Sequence, residues 1–108
     1  MIINVLGTDY TISYKTAEED KELLNCGGYC NYICKNIVID ADEPHCQCSE
    51  EEKAKTKQKY LRHELVHAFL SESGLAENSP WAQNEEIVDW IAIQGEKIVK
   101  AWKEAGAL

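Results

Sequence analysis

Proline and long apolar runs are both scarce in this sequence. Only two prolines stand among 108 residues, and no linker, internal repeat or low-complexity tract divides the chain. It is expected to be one domain, residues 1–108, near the size where a single core is adequate but modest. No stretch approaches the roughly 20 apolar residues of a membrane span. The opening Met1-Ile2-Ile3-Asn4-Val5-Leu6 lacks the basic start of a signal peptide and reads better as a first strand. Positive charge is short as well: 11 Lys and Arg against 19 Asp and Glu give a formal net charge of -8. Without a basic patch, phosphate contacts cannot be built, so nucleic acid is a poor partner. At 44% hydrophobic and 28% charged, the rest is ordinary for a globular domain.

Cysteine is the opposite case. Cys26, Cys30, Cys34, Cys46 and Cys48 make an odd count of five. With no export signal, that number argues for a reducing interior and a cytoplasmic protein. The first three read best as small buried hydrophobes.

Local chemistry predicts the elements. Ile2 to Leu6 is strand-like, Gly7-Thr8-Asp9 a turn, and Tyr10 to Tyr14 a second, alternating strand. Thr16-Ala17-Glu18-Glu19 has the form of a capping box and predicts a short helix to about Asn25, ended by Gly27-Gly28. Tyr29 to Cys34 and Asn36 to Asp40 read as two strands with a turn near Lys35-Asn36. Ile37-Val38-Ile39 is the most β-prone run in the chain. Ala41 to Gln47 is a loop. Ser49-Glu50-Glu51-Glu52 is a second capping box and opens a long helix that Gly74 stops. A loop is expected over Leu75 to Asn78, then a last helix from Pro80 to about Glu104. The fold class is α+β: a small twisted sheet, one long central helix and a helix behind it.

The central helix carries Arg62-His63-Glu64-Leu65-Val66-His67-Ala68, an H-E-x-x-H pattern. Residues four apart on a helix project from nearly the same side, so His63 and His67 offer two imidazoles to one point, as a divalent zinc requires. Glu64 is offset enough to reach a water beside the metal, which makes it the candidate general base. Leu61, Leu65, Val66, Ala68, Phe69 and Leu70 cover most other directions, which predicts burial of this half of the helix. Polar groups in a buried segment need partners, and metal ligation would supply them. A chance match on a solvated helix is the plain alternative.

Catalytic zinc takes three protein ligands and a water. Glu85 and Glu86 are the candidates for the third. Counted at about 100° per residue, Glu85 shares its side with Trp81, Val88, Ala92 and Val99, whereas Glu86 falls on a mixed face. An acid set in an inward stripe needs an explanation, so Glu85 is chosen. Asp89 lies one turn on and can accept the free ring N–H of His63, with His67 the other possibility. Gly95, also inward, would let the two long helices approach closely. The alternative for Glu85 and Asp89 is a solvated acidic patch at a helix start.

His63-Glu64-x-x-His67 followed by Asn84-Glu85-x-x-x-Asp89 resembles the gluzincin metallopeptidases. The short chain, with strands before the active helix and one helix after it, is similar to the single-domain minigluzincins and the ImmA/IrrE-like metallopeptidases of phages. The runs Tyr29 to Asp40, Leu61 to Phe69 and Asn84 to Trp90 look like those of small phage-borne proteins. The resemblance implies a zincin-like fold, Zn2+ held by His63, His67 and Glu85, and Asp89 bound to a ligand histidine. It also implies a peptide or protein substrate lying antiparallel to an edge strand, here Ile37, Val38, Ile39 and Asp40. Larger members supply an oxyanion-stabilising His or Tyr from a second subdomain that this chain lacks. His45 is the only other histidine, and Tyr60 lies one turn before His63 on the site face.

The expected function is a zinc-dependent endopeptidase, a monomer without nucleic-acid or membrane partners. The alternatives are a catalytically weak or inactive metal-binding regulator of a phage or mobile element, and a purely structural zinc site. Cys46 and Cys48 are possible regulatory thiols, either of which would silence the metal as a fourth ligand. A second metal on their loop is the other possibility.

Overall fold

A computed structural model describes all 108 residues. The chain is an α+β domain built on a mixed sheet of four strands in the order β1-β2-β4-β3. Strand β1 is Ile2–Val5, β2 is Thr8–Lys15, β3 is Gly28–Asn31 and β4 is Asn36–Asp40. Three helices complete the chain: α1, Glu50–Glu72; α2, Leu75–Asn78; and α3, Glu85–Glu104.

The first hairpin turns on Leu6 and Gly7, both at positive φ, 50° and 92°. Two left-handed residues match the twist of a two-residue hairpin. The turn is therefore tighter than the expected Gly7-Thr8-Asp9, and Thr8 and Asp9 join β2, paired with Val5 and Asn4. Thr16 and Glu19 exchange the expected reciprocal bonds. The segment beyond them is a four-residue 3-10 turn, Lys21–Leu24, capped by Asp20, rather than an α-helix. This connector delivers the chain to the far edge of the sheet as β3. The next turn then brings β4 back between β3 and β2, antiparallel to the first and parallel to the second. Asn31 Oδ1 accepts the amides of Ile33 and Cys34, and Lys35 closes this turn at φ 58°. Strand β3 thus stops at Asn31, short of the expected Cys34.

The inward rows of the sheet are Val5, Tyr10, Ile12, Ile37 and Ile39, which bury against Ala68 with Tyr60, Leu61 and Leu65 around it. These are the i, i+2 positions of the strands meeting the i, i+4 face of α1. Ser49 and Glu52 form the predicted capping box in full. At the other end of α1, Glu72 accepts bonds from Thr8, Tyr10 and Lys35. That clamp fixes the rotation of α1 on the sheet, and so the direction of its histidines. Burial is narrower than expected: Glu64, Ala68 and Leu70 are buried, while Phe69 is 44% exposed.

After Gly74, at φ 83°, the expected loop is the helical turn α2. Pro80–Gln83 is then a separate 3-10 turn. Asn84 has a ψ of 115°, which breaks the helix, and its side chain accepts the Ile87 amide. The last helix therefore begins at Glu85, not Pro80. The reason is local: Asn is a strong N-cap, and its side-chain bond replaces the one that a continuous helix would supply. Val88 and Ala92 bury against α1, and Arg62 Nε donates to Ala92 O at 2.7 Å. That bond ties the two helices. Gly95 is not the close-approach point, since a Cβ there would meet nothing within 4 Å.

Candidate metal centre

The capped start of α3 sets Glu85 on the first helical residue, facing the histidine row of α1. Its Oε2 lies 2.9 Å from His63 Nε2, and its Oε1 lies 3.0 Å from His67 Nε2. The two Nε2 atoms are 3.2 Å apart. Donors at about 2.0–2.2 Å from a tetrahedral cation stand roughly 3.3–3.6 Å from one another, so the two Nε2 atoms and the two carboxylate oxygens lie only slightly inside ligand spacing. The imidazoles are 15% and 22% exposed, and the Glu85 side chain 71%. Glu85 is therefore on the rim, not in an apolar stripe. Trp81, the first residue of the expected stripe, belongs to the preceding 3-10 turn and is itself exposed.

Behind the trio, His63 Nδ1 is 3.3 Å from Asp89 Oδ1. A carboxylate can only accept, so a bond here needs the hydrogen on Nδ1, and in that tautomer Nε2 turns a lone pair toward Glu85 Oε2. A proton or a cation between two such acceptors satisfies both, and the donor set suits a divalent metal. Asp89 contacts His63, and Lys59 Nζ stands 3.9 Å from the same oxygen.

Glu64 turns from the same stretch of α1 into a cleft of about 950 Å³ that also receives His63, His67 and Glu85. Burial pushes its carboxyl up to about 7; His63 pulls it down, and the Glu85 charge pushes it up again. The opposite wall is β3 and the turn after it, with Gly28, Tyr29, Cys30, Tyr32 and Lys35. Tyr29 donates to Asp20 Oδ2, and Lys35 is held by Glu72.

The remaining assignments change. Ile37, Val38, Ile39 and Asp40 cannot be an edge for peptide, because β4 is paired with β2 on one side and β3 on the other. The free edge beside the cleft is β3. Cys46 and Cys48 have their sulfurs 3.2 Å apart on the loop before α1. His63 lies beyond the Glu50 start of α1 by about 20 Å of helix. A loop thiol at that distance cannot swing onto the centre. Cys26 and Cys30 are the cysteines that line the cleft. His45 is also elsewhere, bound to Asp40 Oδ2 at 2.8 Å and 3.7 Å from Glu43. Asp40, Glu43 and His45 form a second cluster of ligand-type groups. Tyr60 packs in the core under Gly27 and takes no place on the cleft wall.

Comparison with protein-family models, with curated proteins and with solved structures finds no match to this chain.

Proposed function

We propose that this protein is a metal-dependent peptidase of gluzincin type, with zinc as the cation. The observation that carries the reading is the convergence of His63, His67 and Glu85 on one point, with Asp89 behind His63 and Glu64 on the same open cleft. Zinc is favoured by a donor set of two imidazoles and one carboxylate. A cation held there supplies Lewis acidity toward a carbonyl oxygen in the cleft. Glu64 accepts a proton from the attacking water and returns it to the leaving amine. Its burial suits that exchange, because a carboxyl shifted up from its usual range holds and releases a proton near neutrality. Asp89 keeps the His63 ring oriented. An extended peptide adds to the free edge of β3 through main-chain bonds, with its side chains alternating toward and away from the cleft.

A second reading is a metal-binding regulator whose hydrolytic chemistry is vestigial. It is favoured by the engagement of Tyr29 with Asp20 and of Lys35 with Glu72, which occupies two of the donors that could stabilise an oxyanion. Zinc-loaded wild type and Glu64→Gln, assayed against a broad peptide library, separate the two. The peptidase reading expects cleavage by wild type and a loss of about 10²- to 10⁴-fold in the variant at equal zinc content. Undiminished turnover in Glu64→Gln removes Glu64 as the base. A wild type that cleaves nothing leaves the regulator.

A further inference from the structure

The loop between β4 and α1 holds two thiols that the metal centre does not use. All five cysteines are free, with Cys46 exposed and Cys48 half-buried. Cys46 Sγ and Cys48 Sγ stand 3.2 Å apart, the one sulfur-to-sulfur contact in the chain. A disulfide joins sulfurs about 2.0 Å apart, so rotation of two side chains on a loop closes the remaining gap.

The loop is tied on both sides of this pair. Asp40, wholly buried, accepts the Asp42 amide through Oδ1 and meets His45 Nε2 through Oδ2 at 2.8 Å. That carboxylate has no part in the proposed peptidase chemistry; its bonds seat the residue before Cys46. Ser49, the residue after Cys48, exchanges bonds with Glu52 at the start of α1. Between the two anchors only Cys46, Gln47 and Cys48 remain to be placed. A hollow of about 650 Å³ opens beside Cys46 and carries both signs of charge, Lys53 and Lys57 against Asp42 and Glu50. A small peptide disulfide, which brings carboxylates and amines together, is matched by that lining.

We infer that Cys46 and Cys48 are a reversible dithiol couple whose substrates are disulfides of small zwitterionic thiol peptides. Cys46 is the more open to solvent, and its thiolate attacks one sulfur of the incoming disulfide. That S–S bond breaks, one thiolate leaves, and Cys46 carries a mixed disulfide. The Cys48 thiolate then attacks the Cys46 sulfur, the mixed bond breaks, and the second thiolate leaves. The two protein thiols are oxidised to a Cys46–Cys48 disulfide. Their protons pass to the two departing thiolates, so the substrate is reduced to two thiols. A ring that spans three residues restrains the unfolded chain little. The bond is therefore easily reduced again, as an exposed couple is and a structural staple is not.

Oxidised glutathione is the probe, and trypsin makes the readout specific. Cutting after Lys21, Lys35 and Lys53 leaves Cys46 and Cys48 alone on residues 36–53, and Cys26, Cys30 and Cys34 on residues 22–35. The reduced, native full chain in about 1 mM oxidised glutathione should yield a 36–53 peptide lighter by two hydrogens. Dithiothreitol should restore both thiols. Cys48→Ser should stop at one glutathione on Cys46, because nothing resolves the mixed disulfide. Cys46→Ser should react about tenfold more slowly, since the remaining thiol is less accessible. Thiols on 36–53 that stay free, a bridge from 36–53 to 22–35, or two glutathiones held side by side overturn the couple. Equal rates in the two variants overturn Cys46 as the attacking sulfur.

Discussion

His63 Nδ1 and Asp89 Oδ1 lie 3.3 Å apart, joining α1 to α3. The bond selects the tautomer that leaves Nε2 free. Asp89→Asn keeps the shape of the side chain but removes its charge. Zinc affinity should fall about 10- to 100-fold, read by competition with a chromophoric chelator, and far-UV circular dichroism should not change.

Asn84 places Glu85 by capping α3. Asn84→Ala removes the bond to the Ile87 amide and should cost about 1 kcal/mol of stability, measured by urea unfolding. Fraying of the first turn also loosens Glu85, so zinc affinity should drop in the same variant. Asn84→Ser, which retains a cap, should restore most of both.

Gly28 pairs with Ile39 across β3 and β4. A Cβ there would come within 2.8 Å of Ile39 Cδ1 and 3.0 Å of Val38 O. The second atom is backbone and cannot rotate away, so β3 must shift. Gly28→Ala should destabilise by about 1–3 kcal/mol, and peptide cleavage should weaken because the displaced strand forms the cleft wall.

Alkaline stability rests on protons that the fold retains. Burial pushes Cys30 up to about 12 from an ordinary value of 9.0. Burial and the bond to Asp20 push Tyr29 up to about 12 from 10.0. Burial and the bond to Glu72 move Tyr10 upward as well. Each folded value exceeds its unfolded one, so the stabilisation is complete below about pH 9 and is lost as pH rises toward 12. Urea midpoints should fall across that window, and Tyr29→Phe with Cys30→Ala should flatten the fall.

The parts of the fold that are readable in the sequence are those set by neighbours along the chain. The Ser49 and Glu52 cap, the length of α1 and the pairing of His63 with His67 all come from residues within a few turns. The helical phase that singles out Glu85 is counted from Trp81, which lies on a different turn. Glu85 does face the histidines, but the Asn84 cap is what turns it there. Strand order is hidden because it depends on distant pairings. Nothing within Ile37 to Asp40 says that β2 and β3 will flank it, although a run buried on both faces is what a central strand looks like. The thiols of Cys26 and Cys30 reach the cleft only because the connector carries β3 to the outer edge.

The two short turns between Gly74 and Asn84 keep α1 and α3 from being one continuous rod. His63 and His67 belong to one side of that joint and Glu85 to the other. An ion gripped by all three acts as a clasp, so its chemical potential becomes a term in the folding equilibrium. At a free concentration one hundred times its dissociation constant it would add about 2.7 kcal/mol. Scarcity of the ion would then lower the protein's persistence as well as its chemistry.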